Sequence, residues 1–215
     1  LFRSAHELRT PVSNLMMQTQ FALAKVRDVS HYREILFANL EELKRLSRMT
    51  SDMLFLARSE HGLLQLDKQD VNLAEELNEL RELFEPLAEE TGKTITVEGD
   101  GIVAGDSDML RRAFSNLLSN AIKYSPDNTR TSIQIAQGSD YVEVVISNPV
   151  SGGVPANLER LFDRFYRADS SRVHNTEGAG LGLSITRSII HAHGGELSAE
   201  QQGRTILFSV RLLMR

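Results

Sequence analysis

From the N-terminus, apolar residues fall at Leu8, Val12, Leu15, Ala22 and Val26, with Thr19 in the remaining slot. That alternation of four and three is one seam of a heptad helix, and the helical pattern is already running at Phe2. A polar break at Asp28-Val29-Ser30 follows, with Ser30 as the expected N-cap, and a second periodic run covers residues 31–58. Its apolar members, Leu36, Leu40, Leu43, Leu46, Met49, Met53, Leu54 and Leu56, make a stripe too wide for one neighbouring helix. Two such helices joined by a short loop predict an all-α hairpin that pairs with a second copy as a dimeric four-helix bundle. Gly62 closes the second helix.

The period then changes. Residues 63–71 read as a connector with a short strand, and residues 73–91 as an amphipathic helix closed by Gly92. Short strands follow at 94–97 and 102–104, and Asp106 or Ser107 caps a helix over 108–124 that Pro126 stops. Residues 131–136 and 141–147 alternate as a β-hairpin turning at 137–140. Helices are expected at 156–166 and 183–192, and strands at 196–199 and 205–211. This mixture predicts an α+β sandwich, a sheet covered by helices. The expected organisation is a helical hairpin over 1–62, a linker over 63–70 and a second domain over 71–215.

Composition narrows the classes. A chain of 215 residues can bury one large core or two small ones, and the change of period argues for two. A net charge of -5 without a large basic patch argues against nucleic acid as a partner. The absence of cysteine excludes disulfides and Cys-based metal sites. No signal peptide is visible and no apolar run is long enough to span a membrane. Because the chain opens on Leu1 with a helix already under way, it is expected to be a fragment lacking its N-terminal part.

Candidate chemistry begins at Glu177-Gly178-Ala179-Gly180-Leu181-Gly182-Leu183-Ser184, where glycines alternate just before an apolar helix. Such a turn lets backbone N–H groups approach a phosphate, with the helix dipole behind them, although plain turn chemistry reads the same way. On the 108–124 helix, Asn116, Asn120, Lys123 and Tyr124 share one face while Ala113, Phe114, Leu117, Leu118, Ala121 and Ile122 line the other. Polar faces are usually only solvated. Two asparagines one turn apart nevertheless cost roughly a few tenths of a kcal/mol each, and amide oxygens with a nearby lysine suit Mg²⁺ and phosphate. Asn148-Pro149-Val150-Ser151-Gly152-Gly153 follows a strand, as a base-reading loop should or as an ordinary Asn-Pro turn would.

The order of these segments resembles the catalytic core of sensor histidine kinases over essentially the whole chain. Ser4-Ala5-His6-Glu7-Leu8-Arg9-Thr10-Pro11 is similar to the H box, and Asn116-Leu117-Leu118-Ser119-Asn120-Ala121-Ile122-Lys123-Tyr124-Ser125 to the N box. Leu161-Phe162-Asp163-Arg164-Phe165-Tyr166-Arg167 is similar to the F box, and Gly178-Ala179-Gly180-Leu181-Gly182-Leu183 to the G2 box. The resemblance implies a dimerisation and histidine-phosphotransfer hairpin followed by a Bergerat (GHKL) ATP-binding domain.

It also implies roles. His6 would be phosphorylated from ATP, Glu7 would orient it, and Thr10 would orient water in dephosphorylation of the partner; Pro11 is expected to bend the helix. Asn120 would hold Mg²⁺ with Asn116 beside it, Lys123 and Arg167 would contact phosphates, and Tyr124 would lie near adenine or ribose. Asn148 and Gly152 would belong to the base loop, residues 168–177 to an ATP lid, and Gly178, Gly180, Leu181 and Gly182 to its hinge and cradle. Implied partners are a second copy of the chain and a response-regulator receiver domain. The implied setting is the cytoplasmic side of a bacterial inner-membrane protein, reaching the membrane only through the missing N-terminal region.

One segment departs from the family pattern. Asp-x-Gly-x-Gly is replaced by Asn148-Pro149-Val150-Ser151-Gly152, so the adenine acceptor is neutral, which implies weaker adenine binding than a carboxylate gives. Asn-Pro here, with the Ala-His-Glu-Leu-Arg-Thr-Pro-Val-Ser-Asn-Leu opening, is similar to the heavy-metal (copper and silver) sensor branch. His191 and His193 make no metal pair, because helix positions two apart point about 200° from each other. Gly92-Lys93-Thr94 lacks the earlier glycine of a P-loop. Two other readings stay open: a GHKL-type ATPase, which has no use for His6-Glu7, and a non-catalytic dimeric nucleotide-binding scaffold, favoured by Asn148 and Val150.

Overall fold

A computed structural model describes residues 2–26, 28–150, 157–167 and 179–214, with the side chains of the first helix described from Leu8 onward. The chain forms two compact units, Leu1–Ala57 and Arg58–Arg215.

In the first unit, α1 (Phe2–Leu23) runs through a buried Pro11 and turns into α2 (Val29–Glu60). The expected cap Ser30 lies inside the helix. Asp28 does the capping: its Oδ1 accepts from the His31 N–H at 2.7 Å and from the Ser30 hydroxyl at 3.0 Å. A carboxylate is the stronger acceptor for orphan helix N–H groups, and these bonds hold its pKa below the ordinary carboxylate value. The helices meet through Asn39 Nδ2 donating to Thr19 Oγ1 at 3.3 Å and through Phe21 against His31. Ala22, Met49 and Leu56 are buried, whereas Val12, Met16, Met17, Phe21, Leu36, Phe37, Leu40, Leu43 and Leu54 are exposed in the single chain. Val26, expected in the seam, lies beyond the end of α1 and is 93% exposed.

The second unit is built on a five-stranded sheet in the order β2-β4-β5-β7-β6, formed by β2 (Thr94–Gly99), β4 (Arg130–Gln137), β5 (Tyr141–Pro149), β6 (Glu196–Gln202) and β7 (Thr205–Leu213). β2 and β4 run parallel and the other pairs antiparallel. A two-stranded ribbon joins β1 (Gln69–Asn72) to β3 (Ile102–Gly105). Three helices accompany the sheet: α3 (Leu73–Glu89), α4 (Ser107–Tyr124) and α5 (Gly182–Ala192). Asn72 starts α3, accepting from the Ala74 and Glu75 N–H groups, and Asp106 starts α4, accepting from Met109 N–H at 3.1 Å. The apolar face of α4 read from the sequence is buried throughout, as are Leu73, Leu77, Ile185, Ile189, Ile133, Val144, Ile146, Phe208 and Val210. Full burial of each Leu or Ile is worth about 1.5–3 kcal/mol, so this contact fixes the position of the polar face opposite.

The helix expected over 156–166 is replaced, within the described residues, by a short 3-10 turn, Leu158–Phe162, capped by Asn157. Phe165 has φ +59°, which no right-handed helix accommodates. His193 is buried and joins α4 to α5. Its Nε2 can only accept from the Asp106 backbone N–H, at 3.0 Å, so Nδ1 carries the proton and donates to Ile189 O at 2.8 Å. Burial holds this imidazole below its ordinary pKa, with the Ile189 bond and the Asp106 charge acting in the opposite sense.

Candidate functional site

Helix α4 gathers most of the candidate residues because its buried apolar stripe leaves the face of Asn116, Asn120, Lys123 and Tyr124 turned away from the sheet. At one level of this face, Asn116 Nδ2 donates to Gly182 O at 3.2 Å and approaches Thr186 Oγ1 at 3.5 Å. Thr186, fully buried, donates from its hydroxyl to Gly182 O at 2.9 Å. A carbonyl can only accept, so the Asn116 amide turns its nitrogen to α5 and keeps its oxygen for another partner. The first turn of α5 is thereby fastened to α4. Leu181, at the N-cap of α5, is buried and supplies no side-chain cap to the first N–H groups of the helix.

Just before it, Gly180 has φ +70°. A Cβ there would meet Tyr166 O at 2.9 Å and the backbone of Phe165 at 3.0 Å, so this turn requires glycine. Gly180 O also accepts from the Phe165 N–H at 2.8 Å, clipping the segment after the 3-10 turn to the glycine turn. That segment is anchored by Phe162, buried edge-on against Phe208 at 6.4 Å with the Arg187 guanidinium 5.3 Å from its ring centre.

At the C-terminal end of α4, Lys123 Nζ lies 5.5 Å from the Tyr124 ring centre. Burial pushes the Tyr124 hydroxyl above its ordinary pKa, and the Arg167 charge, acting in the other direction, puts Arg167 within electrostatic reach. The next residue, Ser125, donates its hydroxyl to Ala121 O at 2.6 Å and accepts from Asn148 Nδ2 at 3.3 Å. Asn148, at the end of β5, is 2% exposed. Its Oδ1 is buried and has no hydrogen-bond partner among the described residues.

Asn116, Leu181 and Gly182 with the Gly180 turn therefore form one cluster, and Lys123, Tyr124 and, through Ser125, Asn148 lie at the other end of α4, with Asn120 half-buried between them; the charge of Arg167 is felt by Tyr124. Gly152, Gly178 and the expected lid lie outside the described residues. In the first unit, His6, Glu7 and Thr10 follow one another on α1, where positions three and four apart share a face; Thr10 is exposed, and the side chains of His6 and Glu7 lie outside the description. Ser125 and Thr186 carry roles that sequence reasoning did not assign. Ser125 stood inside the N-box stretch, but Thr186 sat unmarked in an apolar helix. Among the described residues no cluster of three His, Cys, Asp or Glu is placed to hold a metal, and no helix is long and apolar enough to cross a membrane.

Residues 4–62 match the His Kinase A (phospho-acceptor) domain, and residues 105–214 match the histidine kinase-, DNA gyrase B- and HSP90-like ATPase family. The chain is 87% identical over 210 residues to the probable sensor protein PcoS of Escherichia coli, covering 98% of this chain and 45% of that protein. It is 44% identical over 209 residues to the sensor histidine kinase CusS of Escherichia coli strain K12, covering 97% and 44%. It thus spans less than half the length of these curated relatives. The solved structure of Acinetobacter baumannii histidine kinase AdeS shares its fold with a TM-score of 0.80 at 22% identity, covering 98% of each chain.

Proposed function

The chain belongs to the sensor histidine kinase family, and from that premise we propose that it is the kinase core of a two-component sensor, moving the γ-phosphoryl group of ATP to His6 and then to an aspartate of a response regulator. In this reading residues 1–62 are the dimerisation and phosphotransfer domain, 63–70 a linker and 71–215 the ATP-binding domain. The observation that carries it is the double tie on α4. One end is fastened to a glycine turn that opens a helix whose N-cap residue gives no side-chain bond, and the other to a buried acceptor unpartnered among the described residues. Asn116 and Ser125 are separated by about 13 Å along the helix axis, the length of a nucleotide laid lengthwise.

The residues fit the ligand. The α5 N-terminus, Gly180 and Gly182 suit phosphate oxygens, and Lys123 and Arg167 supply positive charge. Asn148 Oδ1 suits an amino donor on the base, and Tyr124 offers a ring face beside it. Asn120, with Asn116 beside it, would hold Mg²⁺ through amide oxygens, a hard donor set that needs no carboxylate cluster. Bound there, Mg²⁺ neutralises phosphate charge. His6 supplies the nucleophile: an imidazole nitrogen forms the N–P bond as the bond to ADP breaks, while Glu7 takes up the proton on the other ring nitrogen. Thr10, one turn beyond His6, is suited to orient water for the reverse task, dephosphorylation of the regulator.

The exposed apolar residues of α1 and α2 support a homodimer built on the hairpin. We place the unit on the cytoplasmic side of a bacterial inner-membrane sensor of the heavy-metal branch. The test is incorporation of label from γ-labelled Mg-ATP into the wild-type chain and His6→Gln. Label in the first alone is expected; ADP binding without label in either would replace this reading by that of a nucleotide-binding scaffold.

A further inference from the structure

The fold treats the two halves of the Asn148 amide differently. Nδ2 donates to Ser125 Oγ at 3.3 Å and to the Pro149 carbonyl at 3.2 Å. The only hydrogen on the Ser125 hydroxyl is spent on Ala121 O at 2.6 Å, so Ser125 offers Asn148 lone pairs alone. A flipped amide would set its oxygen against two acceptors. Oδ1 in the observed orientation is buried and unpartnered among the described residues, a state that costs free energy until a donor arrives.

We propose that Ser125 is a base-selecting residue. By engaging the amide nitrogen it commits the oxygen of Asn148 to the ligand, so the site takes a base whose edge carries an amino donor and rejects one that presents a carbonyl there. The inference rests on the nucleotide-binding reading above. Adenine carries an N6 amino group; guanine carries O6 at the same place, which would meet Oδ1 acceptor to acceptor. Sites that hydrogen-bond one polar edge reject its counterpart strongly, because a mismatched base leaves buried groups unpaired. Ser125 thus acts through Asn148, and its effect is on selectivity rather than on transfer chemistry.

The test is calorimetric titration of the whole chain with Mg-ADP and Mg-GDP, for wild type, Ser125→Ala and Ser125→Thr. Removing one of the two acceptors that hold Nδ2 should lower the preference for ADP over GDP about tenfold, corresponding to roughly one buried hydrogen bond, and threonine should restore it. Should Ser125→Ala fail to fold, Asn148→Leu, which removes both halves of the amide, must bring the two affinities close together. A purely structural role for Ser125 would weaken both nucleotides alike, and an unchanged ratio in Ser125→Ala or Asn148→Leu overturns the inference while leaving the nucleotide reading intact. Failure of the wild-type chain to bind ADP at all overturns both.

Discussion

Replacing Asn148 by aspartate would restore the acceptor of the family pattern, yet the surroundings of this residue are wired for an amide. A carboxylate has no hydrogen to give, so the bonds to Ser125 Oγ and Pro149 O are lost, at about 1 kcal/mol each. Ser125 can turn its hydroxyl to the new charge and recover about 1–2 kcal/mol, but only by releasing its 2.6 Å bond to Ala121 O. The larger cost is desolvation, several kcal/mol for an ion at a position 2% exposed. The sum is a loss of about 4–6 kcal/mol at pH 8, capped by the cost of protonating the acid instead. Burial raises the folded-state pKa of such an aspartate above its unfolded value near 3.9, so the neutral acid is tolerated and the penalty shrinks as pH falls towards 5. Urea unfolding followed by tyrosine fluorescence reads this directly, because Tyr124, Tyr141 and Tyr166 lie in the second unit and the chain has no tryptophan. The variant is compared with wild type at pH 8 and pH 5. A variant as stable as wild type at pH 8, or one whose deficit grows at pH 5, would refute the assignment of the amide orientation.

Other consequences follow from the same contacts. His193 is held neutral, its folded pKa depressed, so its contribution is complete above the ordinary histidine value of about 6.5 and is lost as pH falls below it; the wild-type unfolding midpoint should drop with acidification more than that of His193→Gln. Gly180→Ala forces a side chain onto a left-handed backbone and against Phe165 and Tyr166, and should cost about 1–3 kcal/mol in urea unfolding, with weaker ADP binding. Thr186→Val keeps the shape but removes the hydroxyl bond to Gly182 O, and calorimetry should find ADP affinity lowered by about three- to tenfold, with Thr186→Ser restoring it.

The local parts of the structure were legible in the sequence. The period of residues 108–124 separated the buried face of α4 from Asn116, Asn120, Lys123 and Tyr124, and alternation located the β4–β5 hairpin, which pairs Ser132 with Ser147 and Gln137 with Val142. Competition between neighbouring polar residues was less so: Asp28 rather than Ser30 caps α2, a choice decided by acceptor strength. The residues after 156 carry a helical period, but Phe165 takes a left-handed conformation where it meets Gly180, a contact that composition does not announce. The fasteners were least legible. Asn116 to Gly182, Asp106 to His193 and Ser125 to Asn148 join residues far apart in the chain, and whether a Thr or His is a fastener or a surface group depends on what the fold sets opposite it.

Transfer to His6 is tested by the position and chemistry of the phosphate that the chain acquires. After incubation with Mg-ATP, the chain is digested with trypsin at neutral-to-basic pH and the peptide Ser4-Ala5-His6-Glu7-Leu8-Arg9 is fragmented by mass spectrometry. A single phosphate on His6, stable to base and lost in mild acid, is expected. A phosphate on Ser4, Thr10 or any other hydroxyl with His6 unmodified, or hydrolysis of ATP with no protein-bound phosphate, would contradict transfer to His6.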